Sequence, residues 1–249
     1  MLAALAVAVP LALAAPAPVP QAPPPETMRR AQAALDLLDG RGFAGSYRVT
    51  VKAHVVATGE DGPEDTLEIE DVTIAPDGTR TTHLIRAVED GRDVTAKRLA
   101  EGDGDADHEE QVHRDSHDSF DLELVPLGAN APRYAFAAAR VRDGVATAEF
   151  RPAARGGEDD ELGRGEVAWD VATGDPLWIA TGLADHKVGV SELSLRFEFA
   201  RAGDVLYPRS IRTRTKAGIP LIFRLRLAID LEITDLKPLE APGTRLMAS

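Results

Sequence analysis

The feature that most restricts the fold is a run of alternating side chains between residues 221 and 234. One parity is apolar throughout: Leu221, Phe223, Leu225, Leu227, Ile229, Leu231 and Ile233. The other parity is mostly polar or charged. Alternation with a period of two predicts a β-strand with one buried and one solvated face. A strand of about 16 residues at about 3.3 Å each spans on the order of 50 Å, so we expect its sheet to coil.

Two other segments fit the same architecture. The segment before this strand alternates in the same way, and its apolar parity holds Leu193, Leu195, Phe197 and Phe199. Residues 26–39 predict an amphipathic helix, because apolar residues recur there at helical spacing. We therefore predict a mainly β fold with α structure (α+β), a strongly curved antiparallel sheet or unclosed half-barrel plugged by the N-terminal helix. The apolar face then either lines a cavity or packs as a filled core.

Short turns separate the remaining predicted strands. Asp77-Gly78 and Asp143-Gly144 are typical hairpin turns, and Thr173-Gly174-Asp175 joins two segments that each contain a tryptophan. Strands joined by such turns are antiparallel neighbours. The absence of regular alternation with long helices argues against a doubly wound parallel sheet.

The amino-terminal residues indicate export. Residues 2–15 are apolar and uncharged but shorter than the roughly 20 residues of a spanning helix, and Ala12-Leu13-Ala14 fits a signal cleavage site. We expect a signal peptide at 1–14, a proline-rich linker at 15–25, one half-barrel domain at 26–240 and a C-terminal tail at 241–249. The cleaved protein is then expected to be soluble and periplasmic, or otherwise exported.

Cysteine content and charge exclude several classes of site and partner. With no cysteine, the chain has no disulfide, thiolate metal site, cysteine nucleophile or lipidated N-terminal cysteine. Among 249 residues, 41 acidic and 28 basic side chains give a formal charge of −13, which argues against nucleic-acid binding. Residues 101–123 contribute ten acidic side chains and one arginine. We expect a disordered, acidic, histidine-containing insertion at about 101–118.

Chemistry-bearing motifs are weak in this sequence. The weak candidates for a metal site are His108, His113 and His117, because imidazole and carboxylate groups are zinc ligands. Their spacing does not match HExxH, and the nearby aspartates do not complete an EF-hand. Ser116-His117-Asp118 is not a triad, because adjacent side chains diverge. Without a nucleophile elbow, phosphate-binding loop or dinucleotide fingerprint, we predict no enzyme and no cofactor.

The late strands and turns carry a family resemblance. The runs GEVAWDVATGDPLWIAT, LRFEFARAGDVLYPRSIRTR and IFRLRLAIDLEITDLKPL resemble the late hairpins of the LolA/LolB-like superfamily of periplasmic lipoprotein carriers. The resemblance covers residues 43–238 by organisation and about 165–238 by specific residues. It implies an unclosed barrel that binds acyl chains inside. The residues it implies for binding are Leu195, Phe197, Phe199, Leu221, Phe223, Leu225 and Leu227, with Trp169 and Trp178 as weaker candidates. The acidic insertion departs from the family pattern.

Three functions remain open from the sequence. The leading hypothesis is an exported, non-enzymatic binding protein or chaperone that carries a lipid or acylated protein in an apolar half-barrel cavity. Its expected partners are lipid or lipoprotein acyl chains and envelope transport proteins, with no nucleic acid, and it is expected to act as a monomer. The alternatives are a metal-dependent hydrolase using the His108–His117 region, and an envelope structural or interaction module with a filled core.

Overall fold

The computed structural model describes residues 22–39, 45–59, 62–75, 79–101, 109–110, 123–154, 162–184, 190–219 and 223–239. The described helices are α1 (Pro25–Asp36), α2 (Thr95–Ala100) and two 3₁₀ helices, Leu37–Asp39 and Gly128–Arg133. No helix in these ranges is both long and apolar enough to cross a membrane.

Thirteen strands are described, and all of them belong to one sheet. The strands of the first half are β1 (Tyr47–Gly59), β2 (Gly62–Ile74), β3 (Arg80–Glu89), β4 (Arg92–Asp93), β5 (Glu109–Glu110) and β6 (Tyr134–Phe136). Those of the second half are β7 (Arg140–Arg142), β8 (Val145–Pro152), β9 (Gly163–Asp170), β10 (Pro176–Leu183), β11 (Val190–Ala202), β12 (Val205–Ile219) and β13 (Phe223–Pro238).

The sheet is an antiparallel meander whose first and last long strands pair with each other. Its order is β4-β3-β2-β1-β13-β12-β11-β10-β9-β8-β6, with β5 beside β3 and β7 beside β8. Within the described strands the two ends of this order are not joined, so the sheet is open. The predicted fold class, a curved unclosed antiparallel sheet with an N-terminal helix, is confirmed. The predicted long last strand is β13, with 16 residues.

The helix forms where its sequence favours it. Pro25 occupies the first turn, where its missing N–H is no loss, and the carboxylate of Glu26 favours the same end of the helix dipole. The apolar residues that recur at helical spacing face the sheet, and Met28, Ala31 and Leu35 are buried. Leu38, in the 3₁₀ turn that follows, packs against both hydrophobic clusters of the protein. The predicted helix at 26–39 is therefore present.

Helix α1 lies across the middle of one face of the sheet, which we call the inner face. It packs against β10 and β12. Beneath it is the main core, to which β8, β9, β10, β11 and β12 all contribute buried apolar side chains. The largest fully buried side chains there include Trp169, Phe197 and Ile179. A smaller cluster around Tyr47, Val72 and Ile233 closes the end of the sheet near the 3₁₀ turn, and the Tyr47 hydroxyl donates to the carbonyl of Leu37.

The turn between β9 and β10 holds the helix in place. The carboxylate of Asp175 accepts a hydrogen bond from Arg30 of α1 at 2.7 Å and two from Arg201 of β11, at 2.5 and 2.8 Å. Arg30 also donates to the carbonyl of Thr173 at 2.9 Å, and the buried Thr27 hydroxyl donates to the carbonyl of Gly174 at 2.7 Å. One turn therefore ties the helix to the sheet through both charge and backbone contacts.

The conformation of this turn needs its glycine. Gly174 has φ +71, in the left-handed region that glycine adopts without steric cost. The Thr173 backbone N–H donates to the Asp170 carboxylate at 2.7 Å, which closes the turn locally. The Thr-Gly-Asp run noted in the sequence is thus the element that positions α1.

We expect Asp175→Asn to destabilise the protein by about 2 kcal/mol, because it removes charge-assisted hydrogen bonds from a carboxylate that is only 11% exposed. Urea unfolding followed by circular dichroism measures this change. The matched control is Asp143→Asn. Asp143 lies in an exposed hairpin turn at φ 50, which asparagine tolerates, so this control is expected to change stability by less than about 0.5 kcal/mol.

The contribution of the Asp175 carboxylate to stability depends on pH. Hydrogen bonds from Arg201, and then from Arg30, hold the pKa of Asp175 below its ordinary value despite partial burial. A carboxyl group whose folded pKa is lowered stabilises the fold above its unfolded pKa of about 3.9 and loses that effect as the pH falls through the folded pKa. The stability difference between the native protein and Asp175→Asn should therefore shrink below about pH 4. A difference that stays constant down to pH 2 would contradict this assignment.

Candidate functional site

Helix α1 covers only part of the inner face. Three rows of side chains, each running across β1, β13, β12 and β11, show where the cover ends. The first row is Ala53, Leu231, Ile211 and Phe197; the second is Val55, Ile229, Thr213 and Leu195; the third is Ala57, Leu227, Thr215 and Leu193. In the first row Ile211 and Phe197 are buried at 4% and 1% exposure, whereas every member of the third row is half-buried. The core therefore gives way to an open apolar surface along the strands.

We call this surface the open strip. Its members lie on the inner face of β1, β12 and β13 beyond α1, and each is half-buried except Leu225, which is 38% exposed. They are Val51, Ala53, Val55, Ala57, Thr213, Thr215, Ala217, Leu225, Leu227 and Ile229. The strip runs along about six residues of each strand, on the order of 20 Å, and is three strands wide. An apolar surface of this size and shape suits a slender apolar ligand.

The residues predicted from sequence divide between core and strip. Leu195, Phe197 and Phe199 lie in the main core against α1, together with Trp169. Leu225 and Leu227 belong to the open strip. Phe223 shares their parity through its pairing with Ile219, although its side chain lies outside the described residues, as does all of Leu221. Of the predicted residues whose side chains the structure describes, Leu225 and Leu227 are the ones that lie together on open surface.

Trp178 lies on the opposite, outer face. A β-bulge between Pro176 and Trp178 adds one residue to β10, so that Trp178 pairs with Ala168 and points away from Trp169. The guanidinium of Arg196 stacks over the Trp178 ring at 4.6 Å from its centroid. Trp178 therefore packs under an arginine and does not contact the inner face.

Sequence reasoning missed the strip residues contributed by β1 and β12. Val51, Ala53, Val55 and Ala57 alternate along β1, and this pattern was a usable signal. The threonines of β12 carry no apolar pattern, and only their register with Ile229 and Leu227 places them on the strip.

The outer face carries paired charges. Arg214 donates two hydrogen bonds to the Asp230 carboxylate, at 2.9 and 2.7 Å. Glu198 accepts from Arg196 at 3.0 Å and from Arg209 at 3.1 Å, and these contacts, the one with Arg196 first, lower its pKa. The outer face is therefore solvated and largely neutralised, in contrast to the strip behind it.

Two pockets lie at the β6–β9 end of the outer face, with volumes of about 520 and 610 Å³. Both are lined by Glu149 and Glu166, and Arg140, which lines one of them, donates to Glu149 at 2.8 Å. None of the residues predicted for binding lines either pocket.

The candidate metal ligands His108, His113 and His117 lie outside the described residues. Within the described ranges, no three histidine, aspartate or glutamate side chains are grouped closely enough to hold a metal ion. Of the predicted insertion, the structure describes Glu101 and the short strand β5, whose residues Glu109 and Glu110 pair with β3.

Comparison with known proteins gives distant structural neighbours. No protein-family profile and no curated protein sequence matches the chain. A domain from Vibrio parahaemolyticus, described as belonging to an outer membrane lipoprotein-sorting protein, has 12% identity over 90% of this chain and 94% of its own, with a TM-score of 0.34. A DUF1329 family protein from Desulfovibrio piger has 9% identity over 88% and 95%, with a TM-score of 0.32.

A third neighbour is the MucA/MucB complex of Pseudomonas aeruginosa, where 11% identity covers 87% of this chain and 100% of the other, with a TM-score of 0.19. At these identities and TM-scores we transfer no function from the neighbours to this chain.

The division into core and strip predicts that two side-chain truncations on the inner face lower the free energy of unfolding by different amounts. Phe197→Ala should cost about 3–5 kcal/mol of unfolding free energy, because it leaves a cavity in a packed core. Leu227→Ala should cost less than Phe197→Ala, about 1–2 kcal/mol, because the side chain is already partly in water. Urea denaturation of both variants tests this. Equal costs would mean that the strip is as tightly packed as the core.

Proposed function

We propose that this protein is an exported, non-enzymatic binding protein that carries the acyl chain of a lipid or of an acylated protein on its open strip. The observation that supports the proposal is the strip itself, which is a continuous, half-exposed apolar surface on the inner face of a sheet whose outer face is charged. Apolar surface left in water on a soluble fold is typical of a binding site.

The energetics fit a reversible carrier. Covering about ten methylene groups yields roughly 8 kcal/mol at about 0.8 kcal/mol each, before the costs of association and of ordering the chain. This gross value alone corresponds to a dissociation constant of about 1 μM, and the costs make binding weaker than that, which allows loading and release. The threonines of β12 keep the strip wettable when it is empty.

Other parts of the sequence support the cellular setting of this proposal. The apolar segment at 2–15 is proposed to be a cleaved signal peptide, which delivers a soluble monomer to the periplasm or another exported compartment. There, envelope transport proteins would be its donors and acceptors.

Export is tested by expressing the full chain in a bacterial host and determining the amino terminus of the protein recovered from the periplasm. The expected amino terminus is Ala15, after removal of 1–14. An intact Met1 on protein that stays in the cytoplasm would contradict export.

Acyl binding is tested with the methyl ester of a hexadecanoic acid that carries a terminal pyrene, an uncharged acyl probe whose fluorescence changes on leaving water. We expect saturable micromolar binding to the native protein and at least about tenfold weaker binding to Leu227→Glu, because a charge in the strip must be desolvated by the chain. The matched control is Ala228→Glu, one residue away on the outer face beside Arg214, which should bind as the native protein does.

Both variants must unfold at a urea concentration close to that of the native protein for the comparison to hold. Equal binding by native protein and Leu227→Glu would place the acyl site elsewhere. No binding by the native protein would remove the carrier proposal.

A further inference from the structure

The inner face changes from apolar to acidic along β2. At one end of this strand, Val72 and Ile74 are buried in the smaller hydrophobic cluster. Continuing on the same parity, the next inner-face residues are Glu70 and Glu68, which pair with Val51 and Ala53 of β1. Since Val51 and Ala53 belong to the open strip, the strip has a carboxylate edge along its β2 side.

The carboxylates at this edge differ in their partners. Arg98 of α2 donates to Glu68 at 3.1 Å and to Glu89 of β3 at 3.2 Å. Helix α2 is itself fixed to β3, because the Ala87 backbone N–H donates to the Thr95 hydroxyl at 2.9 Å. Glu68 and Glu89 are therefore part of a structural ion-pair cluster.

Glu70 is different, because no group in the described part of the chain lies within hydrogen-bond or ion-pair distance of its carboxylate. It is half-buried between strands, with Val51 opposite on β1 and the buried Leu84 opposite on β3. Burial first, and the charge of Glu68 second, raise the pKa of Glu70, while Arg80 acts in the opposite direction. A carboxylate held between apolar side chains without a partner is a cost to the empty protein.

The backbone beside Glu70 is also irregular. Ile69 pairs with Arg86 and Glu70 pairs with Leu84, so Ile85 is an extra residue in β3 at this point. A β-bulge of this kind redirects side chains and interrupts regular pairing. Here it lies directly across from Glu70, whose carboxylate has no partner among the described groups.

We propose that the ligand of the open strip is an amphiphile with an apolar chain and an ammonium head group, and that the Glu70 carboxylate accepts hydrogen bonds from that head group. This inference rests on the proposed function and names the chemical class of its cargo. The charge at the edge supports it: the groups facing Glu70 and its neighbours are Glu64, Glu68, Glu89, Arg80 and Arg98, and with Glu70 their sum is negative. A cationic head group is attracted there, and an anionic one is repelled.

The test is a calorimetric titration of the full protein with dodecylamine, dodecanol and dodecanoate, each below its micelle-forming concentration at neutral pH. These probes share one chain length and differ in head-group charge, since the amine is protonated at this pH. We expect dodecylamine to bind about tenfold more tightly than dodecanol, and dodecanoate to bind most weakly, because only the protonated amine brings a positive charge to the Glu70 carboxylate.

Glu70→Gln is the decisive variant, because it preserves the shape of the side chain and removes its charge. It should bring dodecylamine and dodecanol within about twofold of each other, with little change in dodecanol affinity. Glu166→Gln is the control, because Glu166 is an exposed carboxylate on the outer face of β9 away from the strip, and this variant should keep the amine preference. Glu70→Gln should also unfold at an equal or higher urea concentration than the native protein, because no partner loses a bond.

The possible results distinguish a failure of the ammonium preference from a failure of the proposed carrier function. If none of the three probes binds to the native protein, the carrier proposal fails. If all three bind with equal affinity, or dodecanoate binds most tightly, the strip is a site for acyl chains without an ammonium preference and the inference fails. If Glu70→Gln retains the amine preference, Glu70 is not the group that recognises the head.

Discussion

The Asp175 carboxylate holds helix α1 in its position, and the position of α1 decides which part of the inner face is core. Asp175 joins Arg30 of α1 to Arg201 of β11, while Thr27 binds the same turn through Gly174. A helix of 12 residues is about 18 Å long, much shorter than the width of eleven adjacent strands spaced about 4.8 Å apart. Fixed over β10 and β12, it leaves the open strip on β1, β13 and the far part of β12 partly exposed.

The strands beneath the open strip are ordered mainly by their long backbone ladders, and ion pairs on the outer face add to this. Lys52 pairs with Glu232, Arg214 with Asp230 and Lys216 with Glu192, and each pair links neighbouring strands behind the strip. Each exposed ion pair of this kind contributes only about 0–1 kcal/mol to stability. The backbone hydrogen bonds between the long strands therefore carry most of the order. The two faces thus have separate roles, one giving register and solubility and the other presenting apolar surface.

Local periodicity was enough to predict the elements but not the division of the face. The helix at 26–39 and the alternation of 221–234 follow from side-chain spacing within one segment. The structure contains the helix, and it contains a strand from Phe223 onward. Which of Leu195, Phe197, Leu225 and Leu227 is buried depends on contacts between residues about 145 positions apart, such as Arg30 with Asp175, which no local pattern contains. The bulge that turns Trp178 outward could not be predicted from local sequence either, because it is defined by the pairing of β9 with β10.

Glu70 shows why the exceptions to a pattern carry functional information. By alternation alone, the inner parity of β2 should continue as apolar residues after Ile74 and Val72, and a leucine at position 70 would lie well between Val51 and Leu84. The sequence instead has a carboxylate there, next to a bulge and without a partner among the described groups. An unpartnered carboxylate at this position lowers the stability of the empty protein. We therefore expect it to act in the bound state. There, a complementary charge would remove the desolvation cost, and the apolar strip would hold the rest of the ligand.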